Sequence, residues 1–220
     1  MTRQVQKPSV QAVLFDLDGT LLDSFEQYWR ALVAAMADFD FEPPSVARIR
    51  QLMGLPGLET ILTLGVPPEQ AHDVWMRWNE WESRLADLVH PFPGVVPLLE
   101  RLRAASYRLG IVTSRRRISL DGTPAALDLL PHVDLLVTRD DTTEGKPHPA
   151  PVLQAFQRLG VPPSQGVYVG DAPFDVEAGQ RAGCLTVLTT WDSANHDRLT
   201  EPKPDFVAAS PDELAALLLD

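Results

Sequence analysis

Two aspartates one residue apart, Asp16 and Asp18, follow the short apolar run Val13-Leu14-Phe15 in the segment Asp16-Leu17-Asp18-Gly19-Thr20. If that run is extended, the alternation of a strand turns both carboxylates to the same side. Like charges that close repel, and a bound divalent cation relieves the repulsion. A second acidic pair, Asp171 and Asp175, follows Val167-Tyr168-Val169-Gly170. Carboxylates that leave room for water and phosphate oxygens suit Mg2+. Thr113 and Ser114, directly after Leu109-Gly110-Ile111-Val112, offer a hydroxyl and backbone N–H groups. Lys146, in Gly145-Lys146-Pro147-His148-Pro149, offers a cation; the only other lysines are Lys7 and Lys203. An acidic metal site, a hydroxyl and one cation form the inventory that phosphoryl transfer needs.

Taken singly, each feature has a plainer reading. An Asp-x-Asp at a strand end serves most often as a turn, a lone lysine as surface charge, and a threonine at a strand end as a backbone partner. Their joint occurrence, each at or close behind an apolar run, is what points to chemistry. Asp121-Gly122-Thr123 repeats the Asp-Gly-Thr letters but follows Arg115-Arg116-Arg117-Ile118-Ser119, with no apolar strand and no upstream aspartate. It reads as a turn before a helix that starts near Pro124.

The elements that must position these groups follow from the pattern. Short apolar runs closed by turn residues read as buried strands of a parallel sheet. They fall at Val13-Phe15, Leu109-Val112, Leu135-Val137, Val167-Val169, Leu185-Leu188 and Phe206-Ala208. Helical patterns separate them, at Val95 to Ala105, Ala150 to Leu159, Phe174 to Ala182 and Asp212 to Leu219. Alternating strand and helix means an α/β fold, a Rossmann-like parallel sheet flanked by helices, with its site at the carboxyl ends of the strands. Residues 25–90 differ. Phe25 to Phe39, Ser45 to Met53, Gly57 to Leu64 and Pro67 to Leu88 all read as helices, with no convincing strand among them. The expected organisation is a core formed by residues 1–24 and 91–220 and an all-helical cap, 25–90, inserted after the first strand. Its hinges lie near Asp23-Ser24 and His90-Pro91-Phe92-Pro93-Gly94.

At 220 residues the chain is long enough for a core with a small insert. A net charge of -11 repels nucleic acid and anionic membranes, so neither is an expected partner. Any phosphate must instead be drawn by a local cation or a metal. Cys184 is the only cysteine, so no intrachain disulfide is possible. Met1 to Val10 is polar, and no apolar stretch is long enough to span a bilayer. The cytoplasm is the expected location, and the chain a monomer or homodimer.

With these motifs in place, the sequence resembles the haloacid dehalogenase-like hydrolases, and among them the phosphoglycolate-phosphatase-like group with a helical cap. The likeness runs from Val13 to about Leu219. Asp16-Leu17-Asp18-Gly19-Thr20 matches the first motif, Thr113 with Ser114 the second, Lys146-Pro147-His148-Pro149 the third, and Gly170-Asp171 with Asp175 the fourth. The resemblance implies that Asp16 attacks phosphorus and that Asp18 acts as acid and then base. It implies Mg2+ held by Asp16, the Asp18 carbonyl and Asp171, with Asp175 ordering metal-bound water or Lys146. It gives the phosphoryl oxygens to Thr113, Ser114 and Lys146, and gives Thr20 the ordering of the first-motif loop at the phosphate site.

Residue types narrow the reaction within that family. A dehalogenase has no use for a second acid at Asp18. A phosphonate-cleaving relative needs a cap lysine, and no lysine lies between Lys7 and Lys146. A phosphosugar mutase carries basic residues around the cap glycine, where this chain has Met53-Gly54-Leu55-Pro56-Gly57-Leu58. The expected substrate is a small phosphorylated metabolite, a phosphoglycolate-like ester or pyrophosphate. A mutase, or a catalytically silent protein that binds through its cap, stands as the alternative. Arg48, Arg50 and His90 are candidate leaving-group contacts, though each reads first as an exposed charge. Trp75, Trp78 and Trp81 form a stripe whose first reading is packing within the cap.

Overall fold

A computed structural model describes residues 10–53, 55–192 and 202–219. Lys7, most of the polar opening segment, and Gly54 lie outside the described residues. The chain opens with β1 (Ala12–Phe15) and a two-residue strand, β2 (Leu22–Asp23). Four helices follow: α1 (Phe25–Asp38), α2 (Val46–Leu52), α3 (Gly57–Thr63) and α4 (Pro68–Arg84). After a 3-10 turn at Ala86–Leu88 comes β3 (His90–Pro91). Then come α5 (Val95–Ala104), β4 (Arg108–Val112), α6 (Arg117–Asp121), α7 (Pro124–Leu129) and β5 (Leu135–Val137). The last part holds α8 (Ala150–Leu159), β6 (Gly166–Gly170), α9 (Pro173–Ala182), β7 (Leu185–Thr189), β8 (Phe206–Ala208) and α10 (Pro211–Leu219).

Six strands form one parallel sheet in the order β5-β4-β1-β6-β7-β8. Every residue of β1 is fully buried, which explains why its sequence is a continuous apolar run. Its side chains alternate between faces. Val13 and Phe15 pack into a cluster with α5, α7 and α10, while Ala12 and Leu14 pack with α8 and α9. The sheet is therefore covered on both sides, as the alternating strand and helix pattern requires.

Between β2 and β3 the described chain is helical and has its own core. On α1 the buried residues Gln27, Ala31, Leu32, Ala35 and Met36 share one face; on α4 they are Ala71, Val74 and Trp78. Trp78 is buried in this cluster, with the Tyr28 ring edge-on at 4.9 Å between centroids. Trp75 and Trp81 are only partly buried. α2 starts at Ser45, whose hydroxyl accepts from the Arg48 N–H at 3.2 Å.

The short strands β2 and β3 pair antiparallel where the chain leaves and re-enters the sheet, and the Phe92 N–H donates to the Leu21 carbonyl at 3.0 Å. Sequence reading expects only loosely defined hinges there. Two-residue strands carry no periodicity that a pattern can detect.

Candidate active site

β1 has β4 on one side and β6 on the other, with Phe15 level with both Ile111 and Val169. The residues after these three strands thus emerge side by side at the carboxyl edge of the sheet. The strand order reverses between β1 and β6, and the crevice at such a switch point is where open α/β sheets place their sites. Asp16 continues the ladder there, its N–H donating to the Val169 carbonyl at 2.8 Å. Thr113 does the same at β4, its N–H donating to the Val137 carbonyl at 2.9 Å.

Lys146 reaches into this crevice from the loop between β5 and α8. Its Nζ lies 2.7 Å from Asp16 Oδ1 and 2.6 Å from Asp175 Oδ1. Asp175 also accepts from the Tyr168 hydroxyl at 3.1 Å and, through Oδ2, from the Ala172 N–H at 3.1 Å. Oxygens of Asp16, Asp171 and Asp175 all lie within 4.8 Å of one another, close enough to share one cation. Burial raises the Asp16 pKa to about 7; Lys146 offsets part of the rise, and Asp175 and Asp18 add to it. Asp171 is driven well above the usual carboxylate range by burial, then by Asp175 and Asp16. Burial alone would lower the Lys146 pKa, but the facing carboxylates hold it well above the ordinary value.

Glycines make this crowding possible. Gly19 has a φ of 80°, a left-handed conformation that favours glycine, and a Cβ there would sit 2.5 Å from Asp171 Oδ2. A Cβ on Gly170 would meet the Asp175 Cβ at 2.3 Å. Thr20 is fully buried and turns its hydroxyl to Asp171 Oδ1 at 3.3 Å, while its carbonyl accepts from the Trp191 indole at 2.9 Å.

Asp18 faces a different set of partners. Arg115 grips it with two parallel hydrogen bonds, Nε to Oδ2 and Nη2 to Oδ1, both 2.7 Å. Burial pushes the Asp18 pKa up, but Arg115 outweighs it, with help from a Ser24 hydrogen bond, and the net shift is down. Arg115 also donates to Gln27 Oε1 at 3.0 Å and to Thr123 Oγ1 at 3.3 Å. Glu82, from α4, belongs to the same neighbourhood. Burial raises its pKa to about 7, Arg115 opposing and Asp18 adding to the rise.

The Thr113 hydroxyl accepts from the Arg115 N–H at 3.1 Å, and Ser114 is exposed beside it. The structure thus gathers Asp16, Asp18, Thr20, Thr113, Ser114, Lys146, Asp171 and Asp175 around the ends of β1, β4 and β6. Asp121 stays apart, paired with Arg117 at 3.1 Å on the exposed side of α6. Arg48 is exposed and donates to Gln51, Arg50 stacks on the Phe25 ring at 4.7 Å, and His90 lies exposed in β3. Trp75 comes 6.0 Å from the Arg116 guanidinium, and Trp81 donates to Asp38 at 2.9 Å. Arg115, Gln27, Glu82 and Tyr168 were not singled out by sequence reading. Tyr168 sits inside an apolar run, and Arg115 opens a run of three arginines that looks like surface charge.

Residues 13–189 match the model of the family described as haloacid dehalogenase-like hydrolase. The chain belongs to the haloacid dehalogenase-like hydrolase family. Among curated members, it is 31% identical over 209 residues to the pyrophosphatase PpaX of Bacillus velezensis, covering 93% of this chain and 94% of that one. It is 32% identical over 191 residues to a phosphoglycolate phosphatase of Xylella fastidiosa, covering 85% and 83% of the two chains. A solved hydrolase from Pseudomonas syringae superposes with a TM-score of 0.81 at 28% identity, covering 94% of this chain and 97% of that one. For a haloacid dehalogenase-like hydrolase, the Rossmann-like sheet is the expected frame, and the acidic crevice lies at its switch point.

Proposed function

We propose that this protein is a Mg2+-dependent phosphatase that takes a phosphoryl group from a small soluble metabolite through an aspartyl-phosphate on Asp16. The observation that carries this reading is the Asp16 cluster. A buried carboxylate at the switch point touches the Lys146 side chain, itself only 7% exposed, and shares a cation-sized space with Asp171 and Asp175. The burial-raised pKa of both Asp16 and Asp171 marks a site short of positive charge, which a hard divalent cation suits. Asp16, the Asp18 carbonyl and Asp171 would hold it. Both Asp175 oxygens are engaged by Lys146, Tyr168 and Ala172, which fits a supporting role. Bound there, Mg2+ would neutralise the carboxylates and the incoming phosphate oxygens.

In the first half-reaction an Asp16 oxygen bonds to phosphorus as the bond to the leaving oxygen breaks, and Asp18, which Arg115 keeps ionised when no substrate is bound, must enter the step protonated to give that oxygen a proton. In the second, Asp18 takes a proton from water, which attacks the phosphoryl group and frees Asp16. Lys146, the Thr113 hydroxyl and the exposed Ser114 backbone hold the phosphoryl oxygens. Thr20 orients the first-motif loop through Asp171. Residues 25–90 act as a cap that covers the crevice and selects the leaving group, over a core of residues 1–24 and 91–220.

The similarity to phosphoglycolate phosphatases and PpaX pyrophosphatases favours a phosphoglycolate-like ester or pyrophosphate as substrate. No described helix is long and apolar enough to cross a membrane, and we place the protein in the cytoplasm. Turnover of p-nitrophenyl phosphate with Mg2+, abolished by EDTA, tests the reaction. A panel of phosphorylated metabolites then ranks the substrates. Full activity in excess EDTA would reject the metal. A protein that bound a partner through its cap but had lost catalysis would turn over none of them.

A further inference from the structure

The two-step reaction gives Arg115 no task, yet the structure invests heavily in it. Its side chain is 13% exposed and its fork fixes both oxygens of Asp18 at 2.7 Å. Two parallel charge-assisted bonds set the plane of a carboxylate as well as its place. The Nη2 that holds Asp18 also donates to Gln27 Oε1 at 3.0 Å. Gln27 is itself 1% exposed, and its amide nitrogen donates to the Glu82 carbonyl at 2.7 Å. On the other side Thr123 accepts from Arg115 at 3.3 Å and donates to the Ser119 carbonyl at 3.0 Å. A continuous path of hydrogen bonds therefore runs from α4, through α1 and the loop after β4, to the aspartate after β1. Its first two members belong to the helical insert and its last two to the sheet.

We propose that Arg115 is a positioning residue that sets the orientation of Asp18 and, through Gln27, ties it to the position of the cap. The inference rests on Asp18 being the acid and base. Arg115 touches neither phosphorus nor the leaving group; it acts through the carboxylate it holds. A shift of α1 and α4 over the sheet must carry or break the Gln27 bond, so the placing of the acid and the covering of the crevice are mechanically joined.

The test uses the full chain with Mg2+ and two substrates, an alkyl phosphate and p-nitrophenyl phosphate. The alkyl ester needs its leaving oxygen protonated, and the aryl ester scarcely does. Arg115→Met should lower kcat/KM, which reports transfer to Asp16, at least ~10-fold more for the alkyl ester than for the aryl ester, while slower hydrolysis of the shared aspartyl-phosphate lowers kcat for both. Arg115→Lys, which keeps the charge but loses the planar two-pronged fork, should recover part of the loss. Gln27→Met should show the same bias at smaller amplitude, and it decides the matter if Arg115→Met does not fold. Adding Arg115→Met to Asp18→Asn should cost nothing further, because both remove one function. Equal losses of kcat/KM for the two esters, or losses that add to those of Asp18→Asn, would overturn the proposal. So would a loss confined to KM for substrates with a second anionic group, since Arg115 would then grip the leaving group. If Asp18→Asn itself shows no bias between esters, the acid/base reading fails first; if it shows the bias and Arg115→Met does not, only the inference fails.

Discussion

Burial raises the Asp16 pKa to about 7 from an ordinary 3.8, so the metal-free folded protein binds a proton there that the unfolded chain releases. A raised folded-state pKa contributes stability that is fully present below about 3.8 and is lost as pH rises through about 7. Asp171 shifts in the same direction. Mg2+ competes with those protons, so its stabilising effect should be larger at pH 8 than at pH 5. Thermal melts with and without Mg2+ at the two values check this, and equal shifts would speak against the site. Gly19→Ala should destabilise the fold by roughly 1–2 kcal/mol from the left-handed backbone alone and weaken Mg2+ binding by displacing Asp171, as calorimetric titration would read. Asp121→Asn, in the exposed pair with Arg117, should leave turnover unchanged and stability within about 0.5 kcal/mol. The aspartates, Thr113 and Lys146 were legible because each stands at or near the end of an apolar run. Arg115 and Gln27 were not, because the contacts that give them a role span 97 residues to Asp18 and 88 residues to each other.

The strands and long helices were legible element by element, since buried parallel strands are continuous apolar runs and amphipathic helices repeat their buried face. α8 runs from Ala150 to Leu159 as the pattern predicts, and α5 ends one residue early at Ala104. The last helix of the insert, α4, is shorter than Pro67 to Leu88. It ends at Arg84, and the chain continues as a 3-10 turn at Ala86–Leu88. The pair β2 and β3 and the five-residue α6 escaped notice because they are too short to repeat a period. The tryptophan stripe resolves into three roles: Trp78 in the core of the helical insert, Trp81 tied to Asp38, and Trp75 toward Arg116. Trp78→Ala should cost about 3–5 kcal/mol by opening that core. Trp78→Phe should cost far less, because the buried indole N–H has no hydrogen-bond partner among the described residues. Urea unfolding of both variants separates the cases; equal costs would mean that Trp78 does not fill the core of the insert.

At the scale of the molecule, a net charge of -11 makes the surface unattractive to phosphate, so the crevice must supply its own cations. Lys146 and Arg115 do so in different ways, one touching Asp16 and one holding Asp18. The parallel sheet, the site at its strand ends and the family were readable from the sequence, because the alternation of elements and the motifs after the strands carry them; the strand order β5-β4-β1-β6-β7-β8 was not, since no local pattern says which strands lie side by side. How the helical insert sits on the sheet was not, since it depends on cross-contacts such as Gln27 to Arg115 that no local pattern records. The central claim, that Asp16 carries the phosphoryl group, is open to direct observation. Wild-type, Asp16→Asn and Asp18→Asn proteins are mixed with p-nitrophenyl phosphate and Mg2+, quenched in acid within a turnover, digested and read by mass spectrometry. The account predicts one phosphoryl group on the peptide bearing Asp16, accumulating in Asp18→Asn and absent from Asp16→Asn, which should be inactive. A phosphoryl group on any other residue, or substantial turnover by Asp16→Asn, would contradict it.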